Sequence, residues 1–106
     1  MKIKGVWAEL SAVRFLRRSG VQVIRTRYRA RGGEIDLIAR DGEVTALIEV
    51  KSAPRLGEGA ARVDGVKRAR LRKAAEQYMR ETGETRIRFD ILEESDAGFR
   101  YIRGAF

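Results

Sequence analysis

Three acids and one lysine stand at a spacing that could do chemistry: Glu34 and Asp36, then Glu49 and Lys51. They lie in two apolar-rich runs, Gly33 to Arg40 and Glu43 to Lys51, on either side of Asp41-Gly42, the dipeptide that most strongly signals a tight hairpin. With those two residues as the loop, Arg40 pairs with Glu43, Asp36 with Leu47 and Glu34 with Glu49. Side chains alternate along a strand and paired residues share a face, so Glu34, Asp36, Glu49 and Lys51 are expected on one side of the sheet. Asp36 and Glu49 are then diagonal neighbours, roughly 7 Å apart. Like charges across strands destabilise a sheet, and one Lys does not neutralise three carboxylates. A divalent cation resolves the conflict, because magnesium takes carboxylate oxygens and completes its shell with water and phosphate oxygens. The same acids paired with Arg on a solvated face would form a structural ion network, and geometry alone favours neither reading.

These side chains need elements to hold them. Residues 6–19 read as a helix, with Val6, Leu10, Val13 and Leu16 near helical spacing and Gly20 as its stop. Glu9 falls at the border of that apolar stripe. Alone it is a flanking acid for an Arg to pair with, whereas beside an acidic sheet site it is a candidate further metal ligand. Residues 21–28 alternate as a first strand near a sheet edge, followed by a basic loop, Arg29-Ala30-Arg31-Gly32-Gly33. That composition suits a phosphate contact and a plain turn equally.

After the hairpin, residues 52–60 form the clearest loop, with Pro54 and Arg55, expected to sit beside the acids because it leaves the sheet directly after Lys51. Asp64 is the expected N-cap of a second helix ending near Thr82, with Gly83 as its stop. Its apolar face carries Leu71, Ala74, Ala75, Tyr78 and Met79, and Lys67, four residues before Leu71, points inward toward the acids. Arg68, Arg70, Arg72 and Lys73 cover much of the rest, as a solvated face or as one that tracks a phosphate backbone. Residues 86–93 alternate as a fourth strand, with Ile87, Phe89 and Ile91 on one side and Arg88, Asp90 and Leu92 on the other. A last short strand spans residues 99–102. The expected architecture is a single α/β domain over residues 1–106 with a mixed sheet, in the order α-β-β-β-α-β-β.

Composition narrows the chemistry. The 23 basic residues outnumber 15 acidic ones, a formal charge of +8 that favours a polyanionic partner through counterion release and steering. The chain has no Cys and no His, which excludes disulfides, thiolate nucleophiles, Ser-His catalysis and the usual zinc sites. Any metal must be held by oxygen. No apolar run is long enough for a signal peptide or a membrane span, so a cytoplasmic protein without membrane association is expected.

Taken together, Ala8-Glu9, Gly33-Glu34-Ile35-Asp36-Leu37-Ile38, Ile48-Glu49-Val50-Lys51, Lys67 and Arg88-Phe89-Asp90 resemble, in order and over nearly the whole chain, the YraN-like family of small predicted endonucleases. The acid, then Glu-x-Lys on a neighbouring strand, is the pattern of the PD-(D/E)xK superfamily. The resemblance implies a restriction-endonuclease-like fold, relatedness to archaeal Holliday-junction resolvases and, with them, a homodimer. It also implies Asp36, Glu49 and Lys51 as catalytic residues, Glu9 as the acid on the first helix, and Lys67 and Asp90 in support. Ile35 stands where the superfamily name has Pro, Arg27 where the family tends to have Asn, and Ala53-Pro54 where an Arg usually follows the Ser or Thr after Glu-Val-Lys.

The expected function is hydrolysis of phosphodiester bonds in structured or branched DNA, dependent on Mg2+ or Mn2+. Asp36 and Glu49 would bind the metal, with Glu9 and Glu34 as further ligands, and Lys51 would position the nucleophile. Arg29, Arg31, Arg55 and Arg68 are the expected nucleic-acid contacts, to DNA ahead of RNA, reading shape and backbone because the chain leaves no room for a separate base-reading module. The rivals are a non-catalytic nucleic-acid-binding domain on the same fold and an assembly factor that binds no nucleic acid.

Overall fold

The computed structural model describes residues 5–61 and 63–106, with side chains described for residues 10–59 and 63–106. Helix α1 (Gly5–Arg18) is followed by strands β1 (Gln22–Ala30), β2 (Gly33–Asp41) and β3 (Val44–Ser52). A short helical turn α2 (Glu58–Ala61), the long helix α3 (Gly65–Thr82) and strands β4 (Ile87–Ser95) and β5 (Gly98–Ile102) complete the chain. The five strands lie in sequence order in one mixed sheet, antiparallel except for the β3–β4 pair. Parallel neighbours need a crossover, and α3 supplies it. This is the expected element order, α2 being one extra turn inside the segment read as loop.

Local signals set the helix ends. Asp64 accepts the Lys67 N–H at 3.0 Å, and Gly83 takes φ +77 while its N–H reaches the Met79 carbonyl. Each satisfies backbone groups that a helix end leaves without intrahelical partners.

The sheet is covered on both faces. Ala12 and Leu16 of α1 pack with Leu37, Ala39, Ala46, Ile48, Val50 and Leu92 on one side. Leu71, Ala74, Ala75 and Tyr78 of α3 pack with Ile38, Leu47 and Ile91 on the other. The buried stripe of α1 differs from the expected one: Ala12 and Leu16 are fully buried while Leu10 is 42% exposed. Phe15, whose ring lies 5.2 Å from that of Phe99, turns the helix toward its small Ala12 face.

Two local features reset the expected register. The hairpin loop is Gly42-Glu43, not Asp41-Gly42, because Asp41 pairs with Val44 and Ile38, not Asp36, faces Leu47. Gly42 has φ +62 at the first loop position, where a II′ hairpin turn takes glycine. The pairing therefore moves by two residues. An even shift by itself does not exchange the two faces.

The second feature is a break in alternation. Ile35 and Leu37 are two apart yet pack on opposite faces. Between them lies Asp36, and across the β1–β2 pairing, between the partners of Leu37 and Ile35, lies Arg27 with a left-handed φ of +53.

Candidate functional site

Where β2 and β3 part, Asp36 leaves the plain ladder. The described β2–β3 pairing ends at Leu37 and Ile48, and the Asp36 carboxylate accepts the Val50 N–H at 2.8 Å. Asp36 and Glu49 are the next residue on each strand beyond that last pair, in place of the expected diagonal relation. Both are nearly buried, 3% and 5% exposed. They line a cleft of about 350 Å³ between β2 and α3, together with Gly32, Gly33, Glu34, Lys67, Arg70 and Leu71.

Glu49 is held by cations from two directions. Its Oε1 lies 3.8 Å from Lys51 Nζ and 3.9 Å from Lys67 Nζ. Lys51 is itself buried, and parallel pairing sets it beside Glu93, which is 0% exposed. The loop read beside the acids is indeed there, and it packs on this pair. Gly57 donates its N–H to Glu93 Oε1 at 2.8 Å, and a Cβ on Gly59 would stand 2.9 Å from Lys51 Cβ. Arg100 stands 3.6 Å from the same Glu93 oxygen. The group is thus a chain of alternating charge running from the cleft inward: Lys67, Glu49, Lys51.

The other expected site residues fall in different places. The side chain of Glu9 lies outside the described residues. Glu34 lines the cleft but is exposed, and among the described residues no three acidic side chains gather closely enough to share an ion. Asp90 does not reach the cleft. It is fully buried in a separate network, accepting from Arg88 and the Gly104 N–H at 2.8 Å each and from the Tyr101 hydroxyl. Ile48 is its parallel partner, so it faces the α1 side. Arg29, Arg31 and Arg55 are exposed. Arg68 is half-buried, donating to the Val63 carbonyl at 3.1 Å and lying 5.1 Å above the Phe106 ring, so a structural contact occupies it.

Two participants were not placed at the acidic site by the sequence. Arg70 lines the cleft, and its signal was there: it stands one helical turn after Lys67. Glu93 ended the fourth strand in the reading above, and only the parallel register sets it against Lys51.

The donor set suits a hard cation. Asp36 and Glu49 offer carboxylate oxygens at a cleft with room for water, and magnesium binds through one or two carboxylates plus water and phosphate. No described helix is long and apolar enough to cross a membrane.

Fold and site together define a small α/β protein whose mixed sheet and long helix frame an acidic cleft backed by lysine. The chain belongs to the uncharacterised protein family UPF0102, whose model matches residues 8–93, and this is the YraN-like family expected from the motif order. A UPF0102 protein of Bordetella avium is 38% identical over 107 residues, covering 97% of this chain and 74% of that protein. One from Methylobacillus flagellatus is 38% identical over 111 residues, covering 100% and 98%. One from Nocardia farcinica is 41% identical over 92 residues, covering 83% and 72%.

Proposed function

We propose that this protein is a metal-dependent endonuclease that hydrolyses phosphodiester bonds in structured or branched DNA, in the cytoplasm. The observation that carries the reading is that Asp36 and Glu49, both nearly buried, line one cleft, with Lys51 and Lys67 on Glu49. Burying carboxylates is unfavourable unless something charged compensates, and a divalent cation drawn to the carboxylate oxygens at the cleft would add to that compensation. Asp36 and Glu49 are the residues that would hold Mg2+ or Mn2+. Bound there, the ion supplies Lewis-acid stabilisation of the phosphate and a lowered pKa for an attacking water.

The chain's own groups do the rest. The Val50 N–H fixes the Asp36 carboxylate. Lys51, held under α2, presents a fixed ammonium next to Glu49, where it orients a nucleophile or offsets charge developing on phosphate. Lys67, 35% exposed at the cleft, meets the incoming phosphate. A homodimer would let two such clefts address two strands.

A second reading has its own observation: among the described residues no three acids gather closely enough to share an ion, and Glu49 already has cationic neighbours. On that reading the fold binds nucleic acid without cutting it.

The test incubates wild-type, Asp36→Asn and Lys51→Ala proteins with labelled four-way junction, flap, duplex DNA and RNA, in magnesium, manganese or EDTA. Metal-dependent cleavage by the wild type, reduced at least ~100-fold in both variants, is expected. Salt-sensitive binding without cleavage selects the second reading, and neither activity removes both.

A further inference from the structure

A second hollow, of about 470 Å³, lies against the outer side of α3 and is lined by Gly32, Gly65, Val66, Ala69, Arg70 and Lys73. It shares Gly32 and Arg70 with the acidic cleft, so the two form one groove with Arg70 at the junction. Val66, Ala69, Arg70 and Lys73 fall at helical spacing on one face of α3, and all four are exposed. The opposite wall is the turn after β1. Arg31 donates its N–H to Gln77 at 3.1 Å, and a Cβ on Gly32 would meet Lys73 Cδ at 3.9 Å.

The charge in this groove has one sign away from the acids. Lys67, Arg70 and Lys73 follow each other along the helix at about 4.5 Å per step, some 9 Å in all. At about 3.4 Å of rise per nucleotide that length matches two to three nucleotides. None of the lining residues of the outer hollow is acidic. Its floor, Val66 at 63% exposure and Ala69, is apolar and open, which suits the faces of sugars and bases between cationic phosphate contacts.

We propose that this outer groove is the strand-binding subsite: Arg70 and Lys73 grip the phosphates next to the one held at Asp36 and Glu49 and so set which bond enters the cleft. The inference rests on the nucleic-acid reading above and adds to it the path of the strand. Of the four basic residues that could track a phosphate backbone along this helix, it selects Arg70 and Lys73 over Arg68, the one expected as a contact.

The experiment measures binding of a fluorescein-labelled four-way junction by anisotropy in EDTA, across a salt series, so that cleavage plays no part. Compared are wild type, Arg70→Glu/Lys73→Glu, the milder Arg70→Gln/Lys73→Gln, and Arg72→Glu, an exposed residue of the same helix outside the groove. Thermal melts check that each variant is folded. At ~0.7–0.9 per phosphate contact, the Gln pair should lower the slope of log K against log salt by about 1.4–1.8. The Glu pair should bind at least tenfold more weakly than wild type, and Arg72→Glu within about twofold of it. Groove variants that bind like Arg72→Glu overturn the subsite while leaving the nuclease reading standing. A wild type that binds no nucleic acid overturns both.

Discussion

At the scale of single residues, the site depends on a backbone irregularity. Left-handed backbone costs an ordinary L-residue about 1–2 kcal/mol, and Asn adopts it more readily than Arg. Arg27, at φ +53, carries that cost. The conformation reverses the alternation of β1 opposite Asp36. Arg27→Asn is therefore expected to stabilise the fold by about 0.5–1 kcal/mol, or about 2–6 °C in Tm for a domain of this size. A lower Tm would show that the Arg27 side chain contributes more than the backbone strain removes. Arg27→Val should be the worse substitution, since β-branched residues are rarely found there.

At the scale of elements, the cleft exists because α3 lies directly on the start of β2. A Cβ on Gly33 would stand 2.6 Å from the Arg70 carbonyl oxygen, a backbone atom that cannot swing away. Gly33→Ala must push α3 off the strand, with a loss of about 1–3 kcal/mol typical of overpacking and weaker binding at the groove. Denaturant melts and the anisotropy assay check it, and unchanged stability would mean that the helix moves without resistance. The helix start matters in another way. Asp64→Ala removes the cap that orders the first turn carrying Lys67, and about 1 kcal/mol of stability should go with it. Asp64→Ser, which still caps, should restore most of that in the same melts.

At the scale of the whole molecule, ion networks at the hairpin end make stability depend on pH in both directions. The Asp41 carboxyl is held below its ordinary value, first by its hydrogen bond to Arg88 and then by Arg103. A depressed carboxyl stabilises the fold above its unfolded pKa, about 4, and that contribution is lost as pH falls through the folded value. Tyr101 is pushed up, first by burial and then by its hydrogen bond to Asp90, and Tyr28 by burial and then by Glu81. A raised tyrosine stabilises the fold fully below about pH 10 and ceases to do so as pH climbs through its folded value. Melting curves should fall off at both ends. Asp41→Asn should flatten the acid limb and Tyr101→Phe the alkaline one, and limbs unchanged in these variants would rule out the network that Arg88 joins as the cause.

Much of this protein could be read before any coordinates, because the relevant interactions are local. Helix caps at Asp64 and Gly83, the alternation of β4 and the dipeptide near the hairpin each act over a few residues, so composition and period expose them. Parity did the same for the site: strands repeat every two residues, so even a pairing displaced by two left Asp36 and Glu49 together. Tertiary structure decided what depends on residues far apart in the chain. The φ of Gly42 chose the loop, the parallel β3–β4 pairing set Glu93 against Lys51, and the packing of α3 on Gly33 joined Arg70 to the acids. Those outcomes follow from which surfaces meet and how closely, and a one-dimensional pattern holds no distance between them.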